Sequence, residues 1–277
     1  MLVNTKKMLE DAYKSNYAIP SPDFFDQRLV RDYVEVAEKL NRPCLLAFSE
    51  ALSKFLPLED AYMIGKYYGE KAKVPVALHI DHGKTVEFVK KAIDIGFTSV
   101  MIDASADSFE ENVRKTKEIV EYAHPRGVTV EAEIGHVGSN ALNADMETQD
   151  ESVYTEVDEC VKFVELTGVD SIAVSVGTSH GVYTHGTPVL NFERLKELKD
   201  AVSIPLVLHG GSSSGDENLR KCAEIGIAKI NIFTDIIKNA AKEAKLGNKD
   251  NYRDMALDID KGAKEMLEHY YHVFNCD

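Results

Sequence analysis

Short apolar runs rich in β-branched residues alternate along this chain with longer runs whose apolar residues recur every three or four positions. The short runs read YAIPS, CLLAFS, VPVALHI, SVMIDAS, TVEAEIG, SIAVSVG, PLVLHGG and KINIFT. Between them lie patterns such as DQRLVRDYVEVAEKLN, LEDAYMIGKYYGEKAK, FEENVRKTKEIVEYA and NFERLKELKDAV. The first kind of period belongs to strands and the second to amphipathic helices. Several helical runs stop at glycine, at Gly96, Gly168 and Gly226, where a left-handed residue can end a helix. Eight such units in succession predict an α/β chain folded as a closed (β/α)8 barrel, with residues 1–277 as one domain. An open doubly wound sheet is the competing architecture, but no GxGxxG follows any of the strands. VPVALHIDHG at 74–83 and IPLVLHGGSS at 204–213 share a pattern four units apart, which places them across a barrel from each other. The stretch from His136 to about Thr155 follows the fifth strand without a clear period, as a lid over a site would.

Charge narrows the partners. The net charge is −14, from 32 basic and 46 acidic residues. Nucleic acid is excluded as a partner, because a phosphate backbone calls for basic stripes. An anionic membrane surface is excluded on the same ground, and no apolar stretch is long enough to span a bilayer. The start, MLVNTKKMLEDAYKS, is amphipathic without the apolar core of a signal peptide. Cys44, Cys160, Cys222 and Cys276 are scattered and form no CxxC pair, so a cytoplasmic protein with reduced thiols is expected.

Barrel chemistry sits at the C-terminal ends of the strands. Strand three ends in His79, Asp81 and His82, and strand four in Asp103. Strand five carries Glu131 and Glu133. Strands six, seven and eight lead to His180, His209 and the Asn231–Thr234 stretch. A single histidine at a strand end is ordinarily structural. Three of them on different strands, each followed by glycine, point to a metal site with an open position. Such a donor set suits Zn²⁺, and cobalt or iron can take the same ligands. Within ALHIDHG, alternation puts His79 and Asp81 on one face and His82 on the other. A twist at the strand end is needed to bring both Asp81 and His82 to one site, and His79 is expected deeper, supporting them. GGSSSG at 210–215 runs into a helix and offers backbone N–H groups to a phosphate.

In their order and spacing, ALHIDHG, EAEIG, GTSHG, LHGGSSS and KINIFT resemble the class II, metal-dependent ketose-bisphosphate aldolases, over nearly the whole chain. The resemblance implies a (β/α)8 barrel that reversibly splits a ketose (bis)phosphate, of the fructose- or tagatose-1,6-bisphosphate kind, into dihydroxyacetone phosphate and an aldehyde. It implies His82, His180 and His209 as Zn²⁺ ligands and Asp81 as the acid–base residue. Asp103 and Glu133 match acidic positions that hold the metal in alternative states, and a second monovalent or divalent cation is compatible with them. Gly181, Gly210, Gly211, Ser212, Asn231 and Thr234 match the site for dihydroxyacetone phosphate, and Ser49 joins the substrate-binding set. A homodimer or higher homo-oligomer acting in carbohydrate metabolism such as glycolysis is implied as well. The other aldolase chemistry needs a Schiff-base lysine on a strand. SIAVSVG has none, Lys229 stands at the start of strand eight, and Lys84 lies in a loop.

The chain departs from the family pattern in ways that bear on the substrate. The lid reads GHVGSNALNADMETQD, with Ala141 near the position of the usual glutamate, so Asp145, Glu147 or Glu151 is expected to carry the proton there. An asparagine-rich entrance motif is replaced by SPDFF, which sets Asp23 where a neutral polar group is expected. Thr184 follows Tyr183 where a lysine is common, and KDN replaces a C-terminal DPR. Two missing cations leave open an aldehyde half that is non-phosphorylated or carboxylated, as in 6-phospho-5-dehydro-2-deoxygluconate. Another metal-dependent barrel chemistry, such as epimerisation or hydrolysis, and a non-catalytic ligand-binding barrel are the readings from other classes.

Overall fold

A computed structural model describes residues 1–135, 137–139, 154–181, 183 and 186–276. The lid expectation, with Asp145, Glu147 and Glu151, falls outside the described residues. Each of the eight apolar runs forms a strand: β1 (Ile19–Pro22), β2 (Cys44–Ser49), β3 (Val76–Gly83), β4 (Ser99–Ile102), β5 (Thr129–Ile134), β6 (Ser171–Val174), β7 (Leu206–Leu208) and β8 (Ile227–Ile232). All pair in parallel, in the order β1-β8-β7-β6-β5-β4-β3-β2. Between β1 and β2 the ring is joined by a bridge at Asp23 and Ala47, where the Phe24 N–H donates to the Ala47 carbonyl at 2.9 Å. The architecture is the (β/α)8 barrel, and the open doubly wound sheet is set aside.

Helices cover the barrel because each buries one stripe against the strands. The chain order is α1 (Lys6–Ser15), α2 (Gln27–Leu40), α3 (Leu58–Lys71), α4 (Val86–Ile95), α5 (Phe109–Ala123), α6 (Val157–Thr167), α7 (Phe192–Ala201), α8 (Asp216–Ile225), α9 (Thr234–Gly247) and α10 (Tyr252–Val273). Their ends are written locally. Asp26 caps α2 by accepting from the Leu29 N–H at 2.9 Å, and Thr85 caps α4 by accepting from Phe88 at 3.2 Å. Gly96 ends α4 at φ +116°, where a side chain would also strike the Tyr62 ring.

Two helices lie outside the eight repeating units. α1 precedes the first strand and follows Thr5, whose hydroxyl meets that of Thr129 at 2.7 Å on the barrel's underside. α10 packs along α9 and α2, burying Ala256, Ala263, Leu267, Tyr270 and Tyr271. Among the described residues, no helix is long and apolar enough to cross a membrane. All four cysteines are buried, and none forms a disulfide.

Candidate functional site

The end of β3 solves the facing problem in ALHIDHG. The pairing of β3 with β4 slips between Ile80 and Gly83, and His82 takes a left-handed conformation at φ +47°. A bulge of this kind turns two consecutive side chains toward one side. Asp81 and His82 therefore both line a cavity of about 200 Å³ at the barrel mouth. Ser49, level with Asp81 in the β2–β3 register, lines it too, as do His180, Gly181, Gly210, Ser212, Asn231 and Thr234. Asp23, Ile232 and Phe233 complete the lining. His79 points down into the barrel, fully buried, with Nδ1 2.8 Å from the Ser99 hydroxyl.

His82, His180 and His209 converge, with one ring nitrogen from each lying within 4.8 Å of the others. His209 directly follows β7. His180 does not end β6, which stops at Val174; it stands on a two-residue ladder, Ser179–His180 against Gly138–Ser139. Behind the rings, hydrogen bonds choose the tautomers. His82 Nδ1 lies 2.7 Å from Asp103 Oδ2, and His209 Nε2 lies 3.0 Å from Glu131 Oε1. Each carboxylate takes an N–H, which leaves His82 Nε2 and His209 Nδ1 facing each other at 3.0 Å. Glu131 is itself held by Lys229, at 2.8 and 2.9 Å.

Electrostatics separates the three rings. Burial opposes a charge on His82, but Asp81 and the Asp103 hydrogen bond outweigh it and raise its pKa to about 9. Burial, reinforced by the charged His82, pushes His180 down to about 4 and His209 well below its ordinary value. The cluster thus holds a proton between two nitrogens and otherwise neutral imidazoles. A divalent cation fits in the proton's place, since neutral imidazole nitrogens are its preferred donors. Glu133 adds to the fit. Its Oε2 is enclosed, has no hydrogen-bond partner among the described residues, and lies 3.4 Å from His209 Nδ1. Burial, together with Asp103, raises the Glu133 carboxyl to about 7. Glu133 and Asp103 also form a group with His82 able to hold a cation. Asp103 is already engaged with His82, the Lys84 ammonium and the Ser105 hydroxyl.

On Asp81, burial pushes the pKa up while His82, His209, Lys229 and the Asn231 amide pull it down to about 2. Asn231 Nδ2 donates to Asp81 Oδ1 at 2.7 Å. Asp81 Oδ2 lies 3.9 Å from His82 Nε2. The arrangement is an ionised carboxylate held beside the candidate metal position, able to take a proton from a ligand hydroxyl.

The GGSSSG turn is tightly built. At Gly210, φ +69°, an added Cβ would lie 2.6 Å from the Ser179 carbonyl. Gly211 donates its N–H to the Asn231 carbonyl at 3.0 Å, tying the turn to β8. The Ser212 hydroxyl accepts from the N–H groups of Phe233 and Asp235 at 3.2 and 3.3 Å. Asp235 in turn accepts the Ser213 N–H at 2.5 Å and its hydroxyl at 2.8 Å. Sequence reasoning missed Asp235, as well as the parts that Glu131 and Lys229 play. For Glu131 the signal was its two-residue spacing from Glu133 on β5.

Comparison with known proteins agrees in one direction. Residues 3–277 match the family model described as fructose-bisphosphate aldolase class-II. YdjI of Escherichia coli (strain K12), described as an uncharacterized protein, is 37% identical over 277 residues, which is 100% of this chain and 99% of YdjI. The crystal structure of the E. coli K12 YdjI aldolase superposes with a TM-score of 0.90 at 36% identity, covering 100% of this chain and 98% of that one. A putative fructose-1,6-bisphosphate aldolase from Coccidioides immitis gives 0.85 at 27% identity, over 97% and 95% of the two chains. Fructose-bisphosphate aldolase from Campylobacter jejuni gives 0.81 at 25%, over 99% and 96%.

Proposed function

The chain belongs to the class II fructose-bisphosphate aldolases, which are metal-dependent aldehyde-lyases, and from that premise we propose that it reversibly cleaves a ketose 1-phosphate or 1,6-bisphosphate to dihydroxyacetone phosphate and an aldehyde. The observation that carries the reading is the convergence of His82, His180 and His209 beside the Asn231-held carboxylate of Asp81. We assign the three histidines as ligands of Zn²⁺ and Asp81 as the acid–base residue. When bound, the ion acts as a Lewis acid that stabilises the negative charge left on the ketose half.

The chain's own groups perform the remaining work. Asp81 removes the C4 hydroxyl proton on cleavage and returns it on condensation. Asn231 fixes the carboxylate through Oδ1 and leaves Oδ2 for the substrate. Glu131 and Asp103 hold the imidazoles in the tautomer that presents a lone pair to the centre. Gly181, Gly210, Gly211, Ser212 and Thr234 form the phosphate end, where a backbone free of side chains allows close approach. Ser49 lines the neighbouring wall. Lys229 is bound to Glu131 below the cavity, which supports the metal route over a Schiff base. The same proposal includes a homodimer, which light scattering tests against the 30.8 kDa chain.

The test is to incubate the Zn²⁺-loaded protein with a panel of ketose 1-phosphates and 1,6-bisphosphates and to measure release of dihydroxyacetone phosphate. Release from at least one member is expected. No release across the panel, with metal bound, would overturn the reading.

A further inference from the structure

We infer that the aldehyde half of the substrate is an uncharged hydroxyaldehyde and that Asp23 is the residue that selects it against a phosphorylated one. The inference rests on the aldolase reading above and names its substrate class.

Asp23 stands just past β1, on the wall it shares with Ser49 and Asp81. Its backbone is locked in place. The Asp23 carbonyl accepts from the Tyr33 hydroxyl at 2.9 Å, and the bridge to Ala47 holds the residue to β2. Its side chain lines the cavity, and Oδ1 is enclosed with no hydrogen-bond partner among the described residues. A buried acceptor left unpaired costs free energy, so a ligand hydroxyl that reaches it gains a bond the empty protein lacks.

The surrounding charge points the same way. The described residues that line the cavity include two carboxylates, Asp23 and Asp81, and neither lysine nor arginine. Lys84, the lysine beside the cluster, is engaged by Asp103. Residues 136, 140–153, 182, 184, 185 and 277 contain no lysine or arginine either. The phosphate of the ketose half has the Gly210–Ser212 turn to receive it. A second phosphate, three carbons beyond the scissile bond, would meet two acidic side chains with no lysine or arginine in the lining to pair with it, and an anion beside the Asp81 carboxylate in a partly desolvated cleft is repelled. A hydroxyl at the same place pairs with Asp23 Oδ1 instead. A site built to bond a hydroxyl rejects ligands that cannot offer one.

The test runs in the condensation direction. Dihydroxyacetone phosphate is offered with glyceraldehyde or with glyceraldehyde 3-phosphate to the metal-loaded wild type, Asp23→Asn and Asp23→Ala. Wild type is expected to favour glyceraldehyde in kcat/KM by about tenfold or more. Asp23→Asn is nearly isosteric, leaves the backbone bond to Tyr33 in place, and is expected to narrow that ratio, chiefly by lowering KM for the phosphorylated aldehyde. Asp23→Ala is expected to raise KM for glyceraldehyde. Preference of the wild type for glyceraldehyde 3-phosphate, or an unchanged ratio in Asp23→Asn, overturns the inference while leaving the aldolase reading intact. Absence of condensation with every aldehyde overturns the aldolase reading and this inference together.

Discussion

Lys229 and Glu131 form an ion pair at 2.8 and 2.9 Å in the closed interior of the barrel, both side chains essentially without solvent contact. The same carboxylate lies 3.0 Å from His209 Nε2. Removing one partner of such a pair strands a buried charge, at a cost of about 3–5 kcal/mol. Lys229→Met is therefore expected to lower stability by that order in chemical denaturation. Lys229→Met combined with Glu131→Gln should recover part of the loss. Strict additivity of the two single changes would show that the pair does not act as a unit.

Metal removal follows from the convergence of His82, His180 and His209. Dialysis against a chelator is expected to abolish aldol cleavage, and Zn²⁺ to restore it. Borohydride added with substrate is expected to leave activity intact, because the buried Lys229 is bound to Glu131 and does not line the cavity. Glu131→Gln should weaken Zn²⁺ binding by roughly 10–100-fold in a competition titration. Covalent trapping by borohydride would refute the metal route.

The Asn231–Asp81 bond gives a graded series. Asp81→Asn removes the base and is expected to lower kcat by about 10²–10⁴-fold with Zn²⁺ still bound. Asn231→Ala keeps the base but frees its orientation, so a smaller loss is expected, again mainly in kcat. Equal losses for the two variants would place Asn231 in the chemistry itself.

A pH effect on stability is expected away from the site, at Asp32 on α2. Burial raises its carboxyl from 3.8 to about 7, with the neighbouring Asp260 adding to the rise and Arg31 opposing it. One oxygen, Oδ2, is enclosed without a hydrogen-bond partner among the described residues. Between these two pKa values the folded state holds a proton that the unfolded chain has released, so this group makes stability fall as pH rises. Below about pH 4 the effect vanishes, and above about pH 7 it is complete. Asp32→Asn is expected to raise Tm relative to wild type at pH 8 and to match it near pH 3.5. An advantage that is the same at both values would rule out charge burial as the cause.

What the sequence determined by itself was the set of local choices. The short apolar run CLLAFS, the alternation in TVEAEIG, three-and-four spacing in NFERLKELKDAV and the stop at Gly96 all act over a few residues, so they are legible without the fold. Eight such units in a row leave few ways to bury every apolar face, and the barrel follows. Strand ends also showed which polar residues would meet at the mouth. Tertiary structure decided how they meet. The slip between β3 and β4 that turns both Asp81 and His82 inward depends on the neighbouring strand, not on ALHIDHG. His180 reaches the cluster from a separate two-residue ladder beyond β6. Glu131, 78 residues from His209 and 98 from Lys229, becomes their common partner only when the ring of strands brings β5, β7 and β8 around one interior. Hydrogen bonds and ion pairs act over about 3 Å, and only the closed barrel brings residues so far apart in the chain within that range.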